Sequence, residues 1–394
     1  MNALKIPFIS DIVVATVIVV TQTLIARVFF TEWKKLLPPS VSRAIAYVLY
    51  TLWAVIAAGT LLHYASIVRM VGWVPVAIRS TLVATANVWG MTAVPALGIY
   101  YAYRVLTRKL TIKHSPGRRR LIYAAGTAAV AAPLAVAAFG AIVERTNFQI
   151  KEIDLPVPNL HPDLEGFRIG QLSDLHVSPW LSVRELGRAV DMLNELKPQL
   201  TVVTGDLITQ IGDPLDDTIR ELARLRADAG ILGCLGNHEY YIRCQNYATV
   251  QARRYGIEFL RNEARLLHWG NGVLNVAGVD YQRSERIRPY LLQAEKLVTP
   301  GAANLLLSHN PDVFPAAVRK GYDAMLSGHT HGGQVTVEFV NQTLNLARFF
   351  TPYVAGLYRL EGRSCYVNTG IGTIAMPVRI GAPPEITLAR LRRA

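Results

Sequence analysis

Four long apolar runs occupy the first third of the chain, and after them the pattern changes completely. The runs are IVVATVIVVTQTLIARVFF (12–30), AIAYVLYTLWAVIAAGTLL (44–62), TLVATANVWGMTAVPALGIYYAY (81–103) and LIYAAGTAAVAAPLAVAAFGAIV (121–143). About 20 apolar residues are enough for a helix to cross a bilayer, so each run is expected to be a transmembrane helix. Pro95 and Pro133 are compatible with this, because neighbouring helices in a bundle can satisfy the backbone groups that proline frees. The next stretch, QIKEIDLPVPNLHPDLEG (149–166), is polar and proline-rich. From Phe167 short β-rich runs alternate with amphipathic helical segments. FRIGQL, QLTVVT and GILGCL are separated by SVRELGRAVDMLNELK and DDTIRELARLRA. This alternation predicts a layered α/β domain. The later runs GVLNVAGVD, ANLLLSHN, YDAMLSGHTHGGQVTV and SCYVNTGIG have few helices between them, which predicts a second sheet packed on the first. The expected organisation is a membrane domain over 1–147, a linker with a leading strand over 148–166, and an α/β domain over 167–394.

Charge separates the same two parts. Up to Asn147 there are 15 Lys/Arg and three Asp/Glu, which leaves 26 and 25 of the chain's 41 and 28 for the remainder. The C-terminal part is therefore nearly neutral and lacks the basic face that nucleic-acid binding needs. The segment between the third and fourth runs, RVLTRKLTIKHSPGRRR, has seven basic residues and no acid. By the positive-inside rule it is cytoplasmic. The first loop, with Lys34, Lys35 and Arg43, falls on the same side. The layout that follows has the N-terminus outside and the C-terminal domain outside. GRRRLIYAAG also fits a twin-arginine export signal, and the alanine-rich run after it could hold a cleavage site. With three spans ahead of it, the run reads as a retained anchor, and either alternative sends the C-terminal domain outward. The expected location is a bacterial inner membrane, with the bilayer as a partner and the C-terminal domain on the extracytoplasmic side.

The polar residues at the ends of the β-rich runs carry the chemistry. One run stops at Asp174 and His176, the next at Asp206, and the third at Asn237 and His238; NLLLSHN stops at His309, and AMLSGHTH at His329 and His331. Ligands of open α/β sheets bind at the carboxyl ends of the strands. Mixed imidazole and carboxylate donors suit Mn, Fe, Co or Zn better than Ca or Mg alone. Asp174, His176, Asp206, Asn237, His309, His329 and His331 are too many donors for one ion. They match two ions if one carboxylate bridges them, the arrangement that clamps an in-line displacement at phosphorus. Gly328, Gly332 and Gly333 would let the backbone bend and approach the site closely. Cys234, Cys244 and Cys365 show no metal-binding spacing. Cys234 is expected in the core, and a Cys234–Cys244 bridge stays open.

These residues resemble the motifs of the calcineurin-like metallophosphoesterases, which read D-x-H, G-D, G-N-H-[ED], a single H and G-H-x-H in that order. Here they are DLH (174–176), GD (205–206), GNHE (236–239), SHNP (308–311) and GHTH (328–331). SDLH, GHTHGGQ and the closing PVRIGAPPEITLARLR are similar to the membrane-associated or exported branch of the family. The resemblance runs from about Glu152 to the end and implies a four-layer α/β/β/α sandwich. It implies one ion on Asp174, His176, Asp206 and His331, and another on Asp206, Asn237, His309 and His329, with Asp206 shared. It also implies attack by a metal-activated hydroxide, with His238 acting as general acid or charge stabiliser rather than ligand. Glu239 is expected to support the ligands or to lie on the surface. Relatives often carry arginine where this chain has Thr369, a departure that bears on substrate contacts and leaves the metal set intact.

Substrate clues are fewer. Arg283, Arg286 and Arg288 in YQRSERIRPY could grip a phosphate or sugar acid, since guanidinium forks fit such groups. ARFFTPYVAGLY (347–358) could rest on the bilayer, line a lipid-accepting groove, or pack as ordinary core. The expected activity is hydrolysis of a phosphodiester or lipid-linked phosphate outside the cytoplasm. One alternative faces the cytoplasm, because some relatives cleave the pyrophosphate bond of a UDP-linked diacylglucosamine. Another is a multi-span interaction protein with a non-catalytic phosphoesterase domain. Against the latter, the spans hold few charged residues away from their ends and offer no transport pathway.

Overall fold

In the computed structural model, which describes residues 5–28, 30, 38–67, 74–109, 116–283, 289–339 and 342–394, the opening apolar runs form four helices. They are α1 (Lys5–Val28), α2 (Pro39–Ile67), α3 (Val76–Lys109) and α4 (Pro116–Ile142). Among the described residues, three stretches are long and apolar enough to cross a membrane: Pro39–Gly59, Val76–Thr107 and Ala124–Thr146. α1 contributes only the shorter apolar stretch Thr16–Val28. Pro95 and Pro133 lie inside α3 and α4. Most of these three stretches is not buried by protein, and large apolar side chains such as Tyr47, Val48, Val105 and Leu121 point outward. A helix that is apolar all round and unburied needs an apolar solvent. Small residues set the helix spacing: a Cβ on Gly59 would meet the Leu82 carbonyl oxygen of α3 at 2.2 Å.

The chain divides into two compact units: Met1–Ala141 with Ala375–Pro377, and Ile142–Ile374 with Val378–Ala394. The second unit begins with β1 (Gln149–Val157), which falls in the proline-rich stretch, and β2 (Arg168–Leu172). There follow α5 (Val183–Glu195), β3 (Leu200–Thr204), α6 (Leu215–Leu222), β4 (Ile231–Cys234), α7 (Asn237–Ile242), α8 (Gln245–Arg254) and β5 (Ile257–Phe259). Next are β6 (Glu263–Trp269), β7 (Gly272–Gly278), β8 (Ala303–Leu307), α9 (Phe314–Arg319) and β9 (Ala324–Ser327). A hairpin of β10 (Thr336–Phe339) and β11 (Gln342–Asn345) precedes β12 (Gly356–Leu360), β13 (Arg363–Val367) and β14 (Glu385–Arg393).

Two six-stranded sheets result, in the orders β1-β14-β2-β3-β4-β5 and β12-β13-β9-β8-β7-β6. In the first, β2, β3, β4 and β5 run parallel, and β14 lies antiparallel to β2 and parallel to β1. In the second, β13, β9, β8 and β7 run parallel, with antiparallel β12 and β6 at the edges. Alternation along each strand explains the layers, since successive side chains point to opposite faces. Leu200 and Val202 of β3 join Leu305 and Leu307 of β8 and Leu326 of β9 in a core between the sheets. Val203 instead packs on the outer helices with Leu186 and Val190 of α5, Ile219 of α6 and Ala248 of α8. On the other side, Leu306 and Met325 meet Phe314 and Ala317 of α9. The order is helices, sheet, sheet, helix: the expected four-layer sandwich.

α5 shows how local chemistry fixes an element in this frame. Ser182 caps it by accepting from the Glu185 N–H, while the Glu185 carboxylate accepts from the Ser182 N–H at 2.7 Å. This reciprocal pair satisfies two otherwise orphaned amides. All three cysteines are free, so the Cys234–Cys244 bridge does not form; Cys234 is in the core between the sheets.

Leu326 is fully buried in that core. Leu326→Ala is expected to cost about 2–5 kcal/mol through lost contact and a cavity, read as a lower melting temperature in differential scanning fluorimetry.

Candidate metal centre

The chemistry-bearing residues all follow strand ends at one edge of the sandwich, but they come from both sheets. Asp174 and His176 follow β2, Asp206 follows β3, and Asn237 and His238 open α7 after β4. His309 follows β8, and His329 and His331 follow β9. The structure brings all eight together. His176 Nε2 lies 3.2 Å from His331 Nε2 and 3.4 Å from Asp206 Oδ2, and His331 Nε2 lies 3.3 Å from Asp174 Oδ1. On the other side, His309 Nε2 lies 3.1 Å from the same Asp206 Oδ2, 3.2 Å from Asn237 Oδ1 and 3.2 Å from His329 Nδ1. Asp206 Oδ2 thus faces both groups. Asp174, His176 and His331 form one cluster of possible metal donors, and Asp206, His309 and His329 another. His238 forms a third with His176 and Asp206.

Supporting bonds fix the orientation of these donors. His309 Nδ1–H donates to the Thr204 carbonyl at 2.7 Å, which leaves Nε2 for the cluster. Asp174 accepts from Ser173 Oγ at 2.6 Å and from the His329 N–H at 2.9 Å. Asp206 Oδ1 accepts from the His238 N–H at 2.9 Å. Glu239, left open by the sequence, is fully buried. Its carboxylate accepts from the N–H groups of Gly236 (2.8 Å), Asp206 (3.1 Å) and Leu207 (2.7 Å), tying the loops after β3 and β4 together. Two glycines are required by close approach. A Cβ on Gly328 would come within 2.1 Å of Asp174 Oδ2, and one on Gly236 within 2.1 Å of Asp206 Oδ1.

Electrostatics sort the protons. Burial lowers the pKa of His176, and burial with the neighbouring His176 holds His331 well below its ordinary value. Burial and His309 push His329 down to about 3. For His309, burial also opposes the charge, but Asp206 and Asp174 outweigh it and raise its pKa to about 10. Asp206 is held well below the carboxylate range because His309 and His238 overcome the effect of its burial. Burial raises Asp174. The donor set suits divalent cations. Imidazole nitrogens face one another at hydrogen-bond distance, and a shared carboxylate oxygen stands between the two groups. Such nitrogen and oxygen donors favour a borderline divalent ion.

Other residues lie nearby that the sequence did not single out. Thr209 reaches His176 Nδ1 at 3.2 Å with its hydroxyl and accepts from His238 Nδ1 at 2.6 Å with its carbonyl. The ring of Tyr281 sits 5.7 Å from that of His329 and 6.2 Å from that of His309. Nothing in the one-dimensional pattern marks these two. Tyr281 and Arg283 also line a cavity of about 610 Å³ with Tyr240 and Gln282. Arg286 and Arg288 lie outside the described residues. Thr369 donates its hydroxyl to the Pro383 carbonyl at 3.0 Å.

A divalent ion on His309 must displace its proton at any pH below about 10. Affinity at that position is therefore expected to rise about tenfold per pH unit through neutrality, with about one proton released per ion bound. Calorimetry in buffers of different ionisation enthalpy measures this, and His309→Asn is expected to abolish the release.

A family model described as calcineurin-like phosphoesterase matches residues 167–333. The chain is 30% identical over 274 residues to a transmembrane protein with metallophosphoesterase domain from Danio rerio; the match covers 66% of this chain and 61% of that one. The chain thus spans about three fifths of that relative's length. It is 32% identical over 230 residues to an uncharacterized metallophosphoesterase of Aquifex aeolicus, covering 57% of this chain and 85% of that protein. It is 26% identical over 319 residues to the UDP-2,3-diacylglucosamine pyrophosphatase LpxG of Chlamydia muridarum, covering 67% of this chain and 95% of that enzyme. With the five motifs, their convergence at one sheet edge and these matches together, the chain belongs to the calcineurin-like phosphoesterase family.

Proposed function

We propose that this protein is a membrane-anchored phosphoester hydrolase that works with two divalent cations, drawn from Mn, Fe, Zn or Co. The observation that carries this reading is the single oxygen, Asp206 Oδ2, standing within 3.4 Å of His176 and 3.1 Å of His309. Asp174, His176, Asp206 and His331 would hold one ion, and Asp206, Asn237, His309 and His329 the other. When bound, the ions supply Lewis-acid polarisation of the phosphoryl oxygens and a water acidic enough to ionise near neutral pH.

The chain's own residues do the rest. Asp206 stays ionised and is held by the His238 N–H and, through the backbone, by Glu239. His238 donates Nδ1–H to the Thr209 carbonyl, which fixes its ring and leaves Nε2 to hold or deliver a proton. It is 8% exposed and packs edge-on against His176, beside the candidate donors. Its role is protonation of the leaving oxygen. Tyr281 and Arg283, on the adjoining cavity, are the described candidates for contact with the remainder of the substrate. The substrate is a phosphodiester or lipid-linked phosphate, a class favoured by apolar helices in the same chain. The active site faces the extracytoplasmic side, as the basic 104–120 segment argues.

A second reading, cleavage of the pyrophosphate bond of a UDP-linked diacylated sugar on the cytoplasmic side, is favoured by the match over 95% of the Chlamydia muridarum enzyme.

The full chain in detergent is expected to hydrolyse a bis-aryl phosphate when Mn²⁺ is added. Asp206→Asn should lose both activity and metal. His238→Ala should lower kcat by about 10²–10⁴ and keep its metal content, so loss of metal in that variant would place His238 among the ligands. Failure of the wild type with every divalent ion would sink the hydrolase reading. Reporter fusions after Arg145 are expected to be active only outside the cytoplasm; the reverse pattern would favour the second reading.

A further inference from the structure

Arg379 is fully buried, with no exposure at all, and heads the described residues for size among such side chains. No carboxylate pairs with it among the described residues. Backbone carbonyls surround its guanidinium instead. Nε donates to Gly372 O (3.1 Å), Nη1 to Ala382 O (2.8 Å), and Nη2 to Thr369 O (2.9 Å), Gly370 O (3.0 Å) and Gly372 O (2.5 Å). Burial lowers its pKa only to about 10, partly offset by Asp174 and Glu385, so the group stays cationic at neutral pH. Its planar fork spans several acceptors at once, which the point charge of lysine cannot do.

The carbonyls it collects belong to the loop after β13, and the other side of that loop touches the metal centre. The Ile371 N–H donates to Ser173 O at 3.1 Å, and the Gly372 N–H to Asp174 O at 2.8 Å. The packing leaves no slack: a Cβ on Gly370 would lie 2.5 Å from Asp174 Cβ, and one on Gly372 would lie 2.8 Å from His176 Cβ. Asp174 (φ 49°) and His176 (φ 46°) sit in left-handed backbone. Non-glycine residues keep that conformation only where their surroundings enforce it. One wall of the enforcement is β3's exit loop, whose Gly205 and Asp206 carbonyls accept from the Asp174 and His176 N–H groups. The other wall is the loop that Arg379 gathers.

We propose that Arg379 is a positioning residue for the metal position built on Asp174, His176 and His331, acting through the carbonyls of Thr369, Gly370 and Gly372 on the left-handed backbone of the D-x-H segment. This rests on reading those three residues as ligands. It predicts that losing the fork loosens one ion position selectively and leaves the sandwich intact.

The test uses the full chain in detergent, as wild type, Arg379→Lys and Arg379→Met. Three quantities are read: Mn²⁺ affinity by calorimetry, hydrogen exchange of the metal-free protein by mass spectrometry, and the kcat and KM for a bis-aryl phosphate. Arg379→Lys is expected to weaken one Mn²⁺ position about tenfold or more and to speed exchange in peptides over 173–177 and 369–372, with β3 unchanged. Its kcat should fall at limiting Mn²⁺ and recover at high Mn²⁺, with KM changed less than about twofold, as expected when outer partners of metal ligands are disturbed. Arg379→Met should move in the same direction and further. Wild-type Mn²⁺ affinity and exchange in Arg379→Lys, with or without a lower melting temperature, would overturn the proposal. So would global unfolding of Arg379→Lys, which would make the residue a brace for the whole core. If the wild type binds no Mn²⁺, the ligand reading itself fails, and the exchange measurement still reports whether Arg379 holds the D-x-H backbone.

Discussion

The site depends on backbone held where amino acids other than glycine rarely stay. Asp174, His176, Asp206, His329 and His331 all have φ between 46° and 78°. Each such residue costs on the order of 1–3 kcal/mol unless its surroundings fix it. The surroundings here are hydrogen bonds between neighbouring loops. β3's exit loop accepts from the Asp174 and His176 amides, and Glu239 collects amides of the Asp206 and Gly236 loops. Arg379 gathers the carbonyls of a third loop. What looks like a row of independent motifs is one network in which each loop shapes its neighbour.

The same network settles the charge. Two carboxylates buried side by side repel, and burial together with Asp206 raises the pKa of Asp174. Without an ion, His309 supplies the compensating charge by holding a proton, while His176, His329 and His331 are kept neutral. A cation on His309 would compete with that proton, and the donor geometry is held by bonds among the loops themselves. For the proposed hydrolysis, preorganisation of this kind would spare the cost of rearranging dipoles at the moment charge develops.

The membrane helices follow a different logic. Their stability in place needs an apolar solvent for side chains such as Tyr47 and Leu121, and small residues such as Gly59 for close contact between helices. Several hydroxyls there bond within their own helix, as where Thr81, Thr85 and Thr92 donate to carbonyls four residues earlier. The strongly basic part of the chain is thus the part with few acids, and the neutral part is the one that carries the chemistry.

The sequence alone determined the apolar runs, the alternation of strands with helices, and the eight residues that are candidates for the chemistry. These are local signals: hydropathy, period and residue type at strand ends are written in consecutive positions. Only the tertiary structure decided that β14 inserts between β1 and β2 and that one oxygen, Asp206 Oδ2, faces both His176 and His309. It also decided that Glu239 is buried under the ligand loops and that Arg379, one of many arginines by composition, is a cation held by carbonyls. Those facts depend on how two sheets face each other and which loops then touch. Contacts between separate loops, whether ten positions apart or more than a hundred, leave no mark in the local pattern of a single chain.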